Sequence, residues 1–273
     1  MTQSRASRIW RHVLLISGAW IVVTPFLWMF TTSLLSRAQT YTNNSVLPSA
    51  WHWENYATAW SAAPFARYYA NSIVMAVAIV AGHVVLDAMA AYAFARLDFP
   101  WKRGLFVLLL AALMVPTFVT IIPAYALVAD LGWIDTFPAL IVPRLADVFG
   151  IILLRQYFET IPLEIEDAAR VDGCGRVRIF ARIVIPLSTP ALATAAIFSF
   201  LFAWNDFLWP LLVTNSDEMR TVQVGLSAFV GRYGTSWNYL MAGTIMATIP
   251  SVVVFLFFQR SLVRGLAAGA LKE

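Results

Sequence analysis

Six apolar stretches, at residues 13–30, 73–94, 104–128, 137–158, 191–213 and 239–258, dominate this sequence. Each approaches or exceeds the roughly 20 residues a helix needs to cross the hydrocarbon layer of a bilayer. Inside hydrocarbon every backbone N–H and C=O must be paired within the protein, so only helices and closed barrels span it. The stretches are continuous rather than alternating over about 10 residues, which selects helices over barrel strands. Composition agrees: 60% of the 273 residues are hydrophobic and 12% are charged, with mean hydropathy +0.72. An ordinary soluble domain carries roughly 25% charged residues, so there is too little charge here to coat a soluble particle. A disordered chain needs low hydrophobicity, and a disulfide scaffold needs more than the single Cys174. The reading is an all-α, polytopic membrane protein with six transmembrane helices, treated as one membrane domain over residues 1–273.

The fourth span is the most interrupted, by Pro143, Arg144 and Asp147. The first follows Arg5, Arg8 and Arg11, like the basic start of a signal peptide, but its apolar run continues through Leu34 and Leu35 and no A-x-A site follows. It is read as a retained helix. With six spans, one side of the membrane holds both termini and the even-numbered connections. That side carries Arg5, Arg8 and Arg11, then Arg96, Lys102 and Arg103, then Arg155, Arg170, Arg176, Arg178 and Arg182, and finally Arg260, Arg264 and Lys272. The opposite side has only Arg37, Arg67, Arg220 and Arg232. Basic residues collect on the cytoplasmic face, so both termini are expected to be cytoplasmic. Net charge +4 then reports topology rather than nucleic-acid binding, and no nucleic-acid partner is expected. Trp51, Trp53, Tyr56, Trp60, Tyr68 and Tyr69, between the first two spans, suit an interfacial belt in contact with membrane lipid.

The long cytoplasmic connection at 159–190 is the most specific segment. Pro162 can open a helix, and Gly173 and Gly175 can break one. Ile165, Ala168, Ala169 and Asp172 fall at i, i+3, i+4 and i+7, and Val177, Phe180, Ala181 and Val184 repeat the spacing. Two short amphipathic helices around a glycine corner are expected, either docking a partner or resting on lipid.

Ionisable groups inside spans are costly and point to function or pairing. His83 and Asp87, at i and i+4, can line a path or form a buried pair, and Arg144 and Asp147, at i and i+3, are expected to pair with each other. Pro116 and Pro123 are expected to kink the third span and Pro210 the fifth. No G-x-x-x-x-G-K-[ST] phosphate loop occurs, so any ATP must act on another subunit. H-E-x-x-H and G-x-S-x-G are also missing and His12, His52 and His83 are scattered, which argues against an intramembrane enzyme.

The 159–190 loop resembles the EAA motif of binding-protein-dependent ABC importer permeases: EAA, three residues, Gly, nine residues, then I-x-L-P. Asp167, Ala168, Ala169, Gly173, Ile183, Ile185 and Pro186 fill it, with Asp167 standing where the family has Glu and Ile185 where it has Leu. Further stretches are similar to the carbohydrate-importer branch, specifically the second permease subunit of maltose and glycerol-3-phosphate type systems. These are AYAFARLDFPWKRG at 91–104, the run at 122–162, WNDFLWPL at 204–211, and the ending LVRGLAAGALKE.

The resemblance implies a permease subunit working by alternating access in the bacterial inner membrane. Its partners would be a homologous permease in a heterodimer, two ATPase subunits that bind ATP and Mg, and an extracytoplasmic solute-binding protein. The chain itself would bind no cofactor or metal and have no catalytic residue. The coupling loop would use Glu166, Asp167, Ala168, Ala169, Asp172, Gly173, Ile183 and Pro186 to engage the ATPase, with Asp167 or Glu166 meeting a basic group there. The polar C-terminal tail is expected not to extend the last span. Asp87, Trp204, Asn205 and Asp206 are the candidate translocation-path residues, because sugars are recognised by amides and carboxylates beside aromatic faces such as those of Trp204 and Trp209. The competing reading is a self-sufficient channel or ion-coupled carrier.

Overall fold

The computed structural model describes residues 5–42, 48, 50–231 and 234–270, with the side chains of residues 5–9 and 260–270 left aside. In chain order the helices are α1 (Arg5–Ser33), α2 (Gln39–Thr42), α3 (Glu54–Ser61) and α4 (Phe65–Gly82), which a π-helical turn, His83–Asp87, joins to α5 (Ala88–Arg96). Then follow α6 (Lys102–Met114), α7 (Thr117–Asp130), α8 (Phe137–Ile141), α9 (Val148–Thr160), α10 (Leu163–Val171), α11 (Arg176–Ile179) and α12 (Ile185–Leu187). The last are α13 (Thr189–Asn205), α14 (Leu208–Val213), α15 (Val222–Leu226) and α16 (Trp237–Ala270). A two-strand antiparallel hairpin, Val230–Gly231 with Gly234–Thr235, is the only sheet among the described residues.

Three helical segments are long and apolar enough to cross a membrane, 10–33, 65–96 and 237–259. Up to six spans result if each bent pair counts as one. The pairs are Lys102–Met114 with Thr117–Asp130, bent by 101°, Phe137–Arg144 with Val148–Thr160, bent by 42°, and Arg176–Leu187 with Thr189–Asn205, bent by 79°. The prolines explain much of this. A proline lacks the N–H that would bond to the carbonyl four residues back, and its ring crowds that carbonyl. Pro116 opens the break between α6 and α7, whereas Pro123 sits inside α7 without ending it. Pro210 disfavours continuation through Asp206, where α13 ends. Helix α16 runs on through the glycine-bearing segment to Ala270, while the apolar span within it ends at Gln259.

The described chain forms two compact units. One comprises residues 1–65 and 225–249. Its organising side chain is buried Asn55, whose amide donates to the Ser33 and Leu35 carbonyls at 2.8 and 2.9 Å and whose oxygen accepts from Asn238 at 3.3 Å. Tyr56 shares a 2.8 Å hydrogen bond with Ser33, and Phe65 stacks on Phe229. Trp51 and Trp53 remain exposed, as an interfacial belt requires.

The other unit comprises residues 66–224 and 250–273. Here α5 lies along α9, and α9 packs on α13. The small residues Ala88, Ala91, Ala191 and Ala195 let these backbones approach, and Tyr92, Ile151, Leu154 and Phe158 fill the space between them. Ala169, Ile179 and Val184 belong to the same core, so the 159–190 connection is built into this unit rather than appended to it.

Candidate functional site

The coupling-loop segment forms the expected pair of short helices. Pro162 caps α10 in extended conformation, Glu164 and Glu166 occupy the first turn and Arg170 the last, each charge favourable to the helix dipole. The corner closes through two reverse hydrogen bonds, Gly173 N–H to Arg170 at 3.0 Å and Cys174 N–H to Ala169 at 2.9 Å. Such a Schellman end needs a left-handed residue, and Gly173 supplies it with φ of +82°.

Of the α10 face that the spacing marks, only Ala169 is buried within the chain. Glu166 and Ala169 point inward, while Ile165, Asp167, Ala168 and Asp172 face out. After the corner, Ile179 and Val184 are buried, Ile183 is half-buried, and Val177, Ala181 and Pro186 are exposed. The reason is electrostatic as much as hydrophobic. The Glu166 side chain is 0% exposed and meets the Arg96 guanidinium at 2.7 Å, and it accepts from the Tyr92 hydroxyl at 3.2 Å. Arg96 also donates to the Phe158 and Ile161 carbonyls at 2.6 and 2.5 Å, closing the free C-terminal end of α9. One arginine therefore joins the end of α5, the end of α9 and the start of α10. Asp167, by contrast, is 62% exposed and pairs only with its neighbour Arg170, at 2.7 Å. Of the two acids considered for meeting a partner, Glu166 is committed inside the chain and Asp167 is free to be approached.

A second polar cluster lies where three helix irregularities converge. At the π-turn, His83 bonds to Ser199 at 2.6 Å and to the Arg144 carbonyl at 2.7 Å. The carbonyl can only accept, so Nε2 carries a proton and donates to it. Asp87, also in the π-turn, is buried and accepts from the Asp147 N–H at 3.0 Å. Its other oxygen lies against Gly150, where any Cβ would collide with it. His83 and Asp87 thus do not pair; each holds a different part of the break between α8 and α9.

Arg144 and Asp147 do not pair either. Asp147 caps α9, accepting from the Gly150 N–H at 3.2 Å, while Arg144 reaches across to Asp206 at 3.2 Å and lies over the Trp209 ring at 5.8 Å. The helix break between the two residues turns them apart. Asp206 sits in the break between α13 and α14, where it accepts from the Trp209 N–H at 3.3 Å. Sequence reasoning found the ionisable groups but neither Ser199 nor the pairings His83–Ser199 and Arg144–Asp206, which join segments far apart in the chain.

Trp204 and Trp209 are both buried. Trp204 is 1% exposed, stacked on Phe200 and edge-on to Tyr69. Buried Trp209 donates its indole N–H to the Ala139 carbonyl at 2.9 Å, the carbonyl that Pro143 cannot engage from within the helix. Asn205 is exposed and donates to the Leu201 carbonyl at 2.8 Å.

His83, Arg144, Asp147, Ser199 and Asp206, with Thr117 and the rings of Phe149, Phe198 and Phe202, line a cavity of about 550 Å³. That lies within the range of small-molecule sites, roughly 300–1,000 Å³. Asp87, Trp204 and Asn205 are outside its lining. No group of three or more metal-ligating side chains occurs among the described residues.

Near these spans, Asp135 is the tie between two loops. It accepts from the N–H groups of Asn215 and Ser216 at 2.9 and 3.0 Å. Burial pushes its carboxyl up, but the Ser216 hydroxyl, those two N–H groups and nearby Arg220 outweigh it and hold it below the ordinary range.

The family model described as "Binding-protein-dependent transport system inner membrane component" matches residues 85–268. The sn-glycerol-3-phosphate transport system permease protein UgpE of Yersinia enterocolitica is 36% identical over 271 residues, covering 96% of each chain. Its counterpart in Rhizobium meliloti is 37% identical over 265 residues, covering 93% of this chain and 94% of that one. The probable ABC transporter permease protein YurM of Bacillus subtilis is 34% identical over 253 residues, covering 92% and 84%. Among solved structures, a bacterial ABC transporter involved in import of the acidic polysaccharide alginate superposes with TM-score 0.83 at 25% identity, covering 95% of this chain and 99% of that one.

Proposed function

Because this chain belongs to the binding-protein-dependent transport system inner membrane components, we propose that it is the half of an ATP-driven importer that carries a sugar or sugar-like solute. It is a multi-pass inner-membrane permease subunit of the ABC transporter class. In this reading residues 1–273 form one transmembrane domain of six spans, three of them bent, with both termini cytoplasmic. The solute class rests on the relatives, since the UgpE proteins are named for glycerol-3-phosphate transport and the structural neighbour for alginate import.

The observation that carries the coupling role is the contrast between Glu166 and Asp167. A membrane subunit driven from outside needs a knob that a partner can reach and a rigid connection from that knob to the spans. Asp167, Ala168, Asp172 and Pro186 are exposed, with Val171 and Val177 at 88% and 81% exposure beside them. Behind them Glu166 and Ala169 anchor the helix into the core through Arg96 and the α9 end. Gly173 sets the corner and Ile183 packs the second helix onto the same core. A push on α10 is thereby delivered to α5 and α9 together. Two ATPase subunits, holding ATP and Mg, would take the exposed face; a homologous permease would complete the path, and a solute-binding protein would deliver the solute, as in the complex named for one structural neighbour. Asp206, at the cavity wall, is the path residue the geometry favours, with Asp87 behind it.

The test is purification of the assembled complex followed by a screen for solutes that stimulate its ATPase through the binding protein. Stimulation by a sugar or polyol is expected, and it should vanish in Asp167→Arg/Ala168→Arg. Uptake that persists without any ATPase subunit would instead establish a self-sufficient carrier.

A further inference from the structure

The cavity at the junction of the three helix irregularities carries more information than its volume. Its ionisable lining consists of one cation, Arg144, and two carboxylates, Asp147 and Asp206, together with His83. His83 is held between the Ser199 hydroxyl and the Arg144 carbonyl, to which its Nε2 donates. Arg144 is already opposed by Asp206 at 3.2 Å. A third carboxylate, Asp87, stands behind the lining and bonds to the Asp147 backbone. An anionic solute would meet a wall with more carboxylates than guanidinium groups, and would have to approach Arg144 beside the Asp206 carboxylate that already opposes it. A neutral polyol faces no such cost: neighbouring hydroxyls can donate to the carboxylate and accept from the guanidinium while the ion pair stays in place. The half-exposed guanidinium and carboxylate, at 31% and 18%, are open enough to be reached.

We propose that the Arg144–Asp206 pair, with Asp147 and Ser199 beside it, is a solute subsite of the translocation path that takes an uncharged polyhydroxyl solute and disfavours phosphorylated or carboxylated ones. This rests on the permease reading and narrows it. Selectivity at this wall would act in addition to whatever the binding protein selects, and it separates this chain's solute from the glycerol phosphate for which the UgpE relatives are named. The aromatic rings on the cavity lining are Phe149, Phe198 and Phe202, while the Trp209 ring under Arg144 lies outside the lining.

The experiment uses the assembled importer in detergent without its binding protein, and saturation-transfer difference NMR with maltose, glycerol or sn-glycerol 3-phosphate offered singly at equal concentration. Maltose or glycerol should receive saturation, with glycerol 3-phosphate about tenfold weaker, a discrimination within reach of like-charge opposition. The double variant Asp147→Asn/Asp206→Asn keeps both helix-capping oxygens but removes both carboxylates from the lining that carries Arg144, leaving only Asp87 behind it, and the preference should reverse by about tenfold. A wild-type preference for the phosphate, an unchanged order in the double variant, or no saturation of any probe overturns the subsite. Should the double variant not fold, Phe202→Cys in a Cys174→Ser background decides, because Phe202 is largely exposed on the cavity lining. Maltose should slow its reaction with a hydrophilic thiol reagent and glycerol 3-phosphate should not; equal protection, or none, overturns the proposal. A complex that assembles with its ATPases and drives uptake, yet fails these tests, breaks the subsite alone. Failure to assemble with ATPase subunits breaks the permease reading beneath it.

Discussion

The 159–190 loop and the cavity both rest on an arginine–carboxylate pair, but they are built in opposite ways. In the loop, two adjacent acids separate their roles because successive residues of a helix point about 100° apart. Glu166 is sealed against Arg96 while Asp167 faces out. In the cavity, residues far apart in the chain share one role because each sits where a helix is interrupted: His83 in a π-turn, Arg144 beside Pro143, Asp206 four residues before Pro210. A regular membrane helix spends its backbone polar groups on itself. Irregular turns free carbonyls and N–H groups, which must then find partners, and those partners gather polar side chains at one depth. The loop pair is a strut and the cavity pair is a surface.

The largest expected effect tests the strut. Glu166→Ala leaves Arg96 buried and unpaired, and breaking a buried pair from one side costs about 3–5 kcal/mol. Tryptophan-fluorescence unfolding of the purified subunit should register that loss, along with collapse of ATP-driven uptake. Asp167→Ala should change stability by no more than about 1 kcal/mol, as exposed pairs do, yet weaken ATPase engagement. If both variants destabilised equally, the division of labour between these neighbours would be wrong.

Next is the surface pair. Arg144→Gln removes a charged hydrogen bond to Asp206, a change of about 1.5–3 kcal/mol in a buried setting and less where the pair is half-open. Stability should therefore fall less than in Glu166→Ala, while solute discrimination changes more. Gly173→Ala forces a side chain into the left-handed region, costing about 1–2 kcal/mol. Because that strain is local to the corner, uptake per ATP hydrolysed should drop while solute selectivity stays as it was; a shift in selectivity would mean the loop and the cavity are not separate devices.

How far the sequence carried the reading follows the same divide. The glycine corner, the two short helices and the apolar spans were legible because each depends on residues within one or two helical turns. That Glu166 turns into the core was not legible, because hydrophobic spacing marks Ile165 and Ala168, and nothing local announces that a glutamate will be drawn inward by an arginine 70 positions earlier. The cavity pairs failed for a related reason. His83 with Asp87, and Arg144 with Asp147, have the spacing of helical neighbours, but a π-turn and a proline break change the angle between them. Trp209 was legible as important and not as a cap, since its partner is the carbonyl that Pro143 leaves open.

The smallest expected effect concerns the other ends of the two broken segments that carry Arg144 and Asp206. Asp135 lies just before α8, and the residues it holds, Asn215 and Ser216, lie just after α14. Its carboxyl is held below the ordinary carboxylate range in the folded chain. A lowered folded value means the unfolded chain binds the proton first as pH falls. The stabilisation is thus complete above the unfolded carboxylate value, near pH 3.9 for aspartate, and disappears as pH drops through the lower folded value. Asp135→Asn keeps an oxygen that can accept both N–H groups and loses only the charge, so the stability loss should be below about 1 kcal/mol. Unfolding midpoints of the two proteins, compared from neutral pH downward, should differ by a constant small amount and then converge in acid. A gap that widened in acid would mean that the Asp135 carboxylate opposes the joining of these two segments, leaving the Arg144–Asp206 pair and the Trp209–Ala139 hydrogen bond to hold them together.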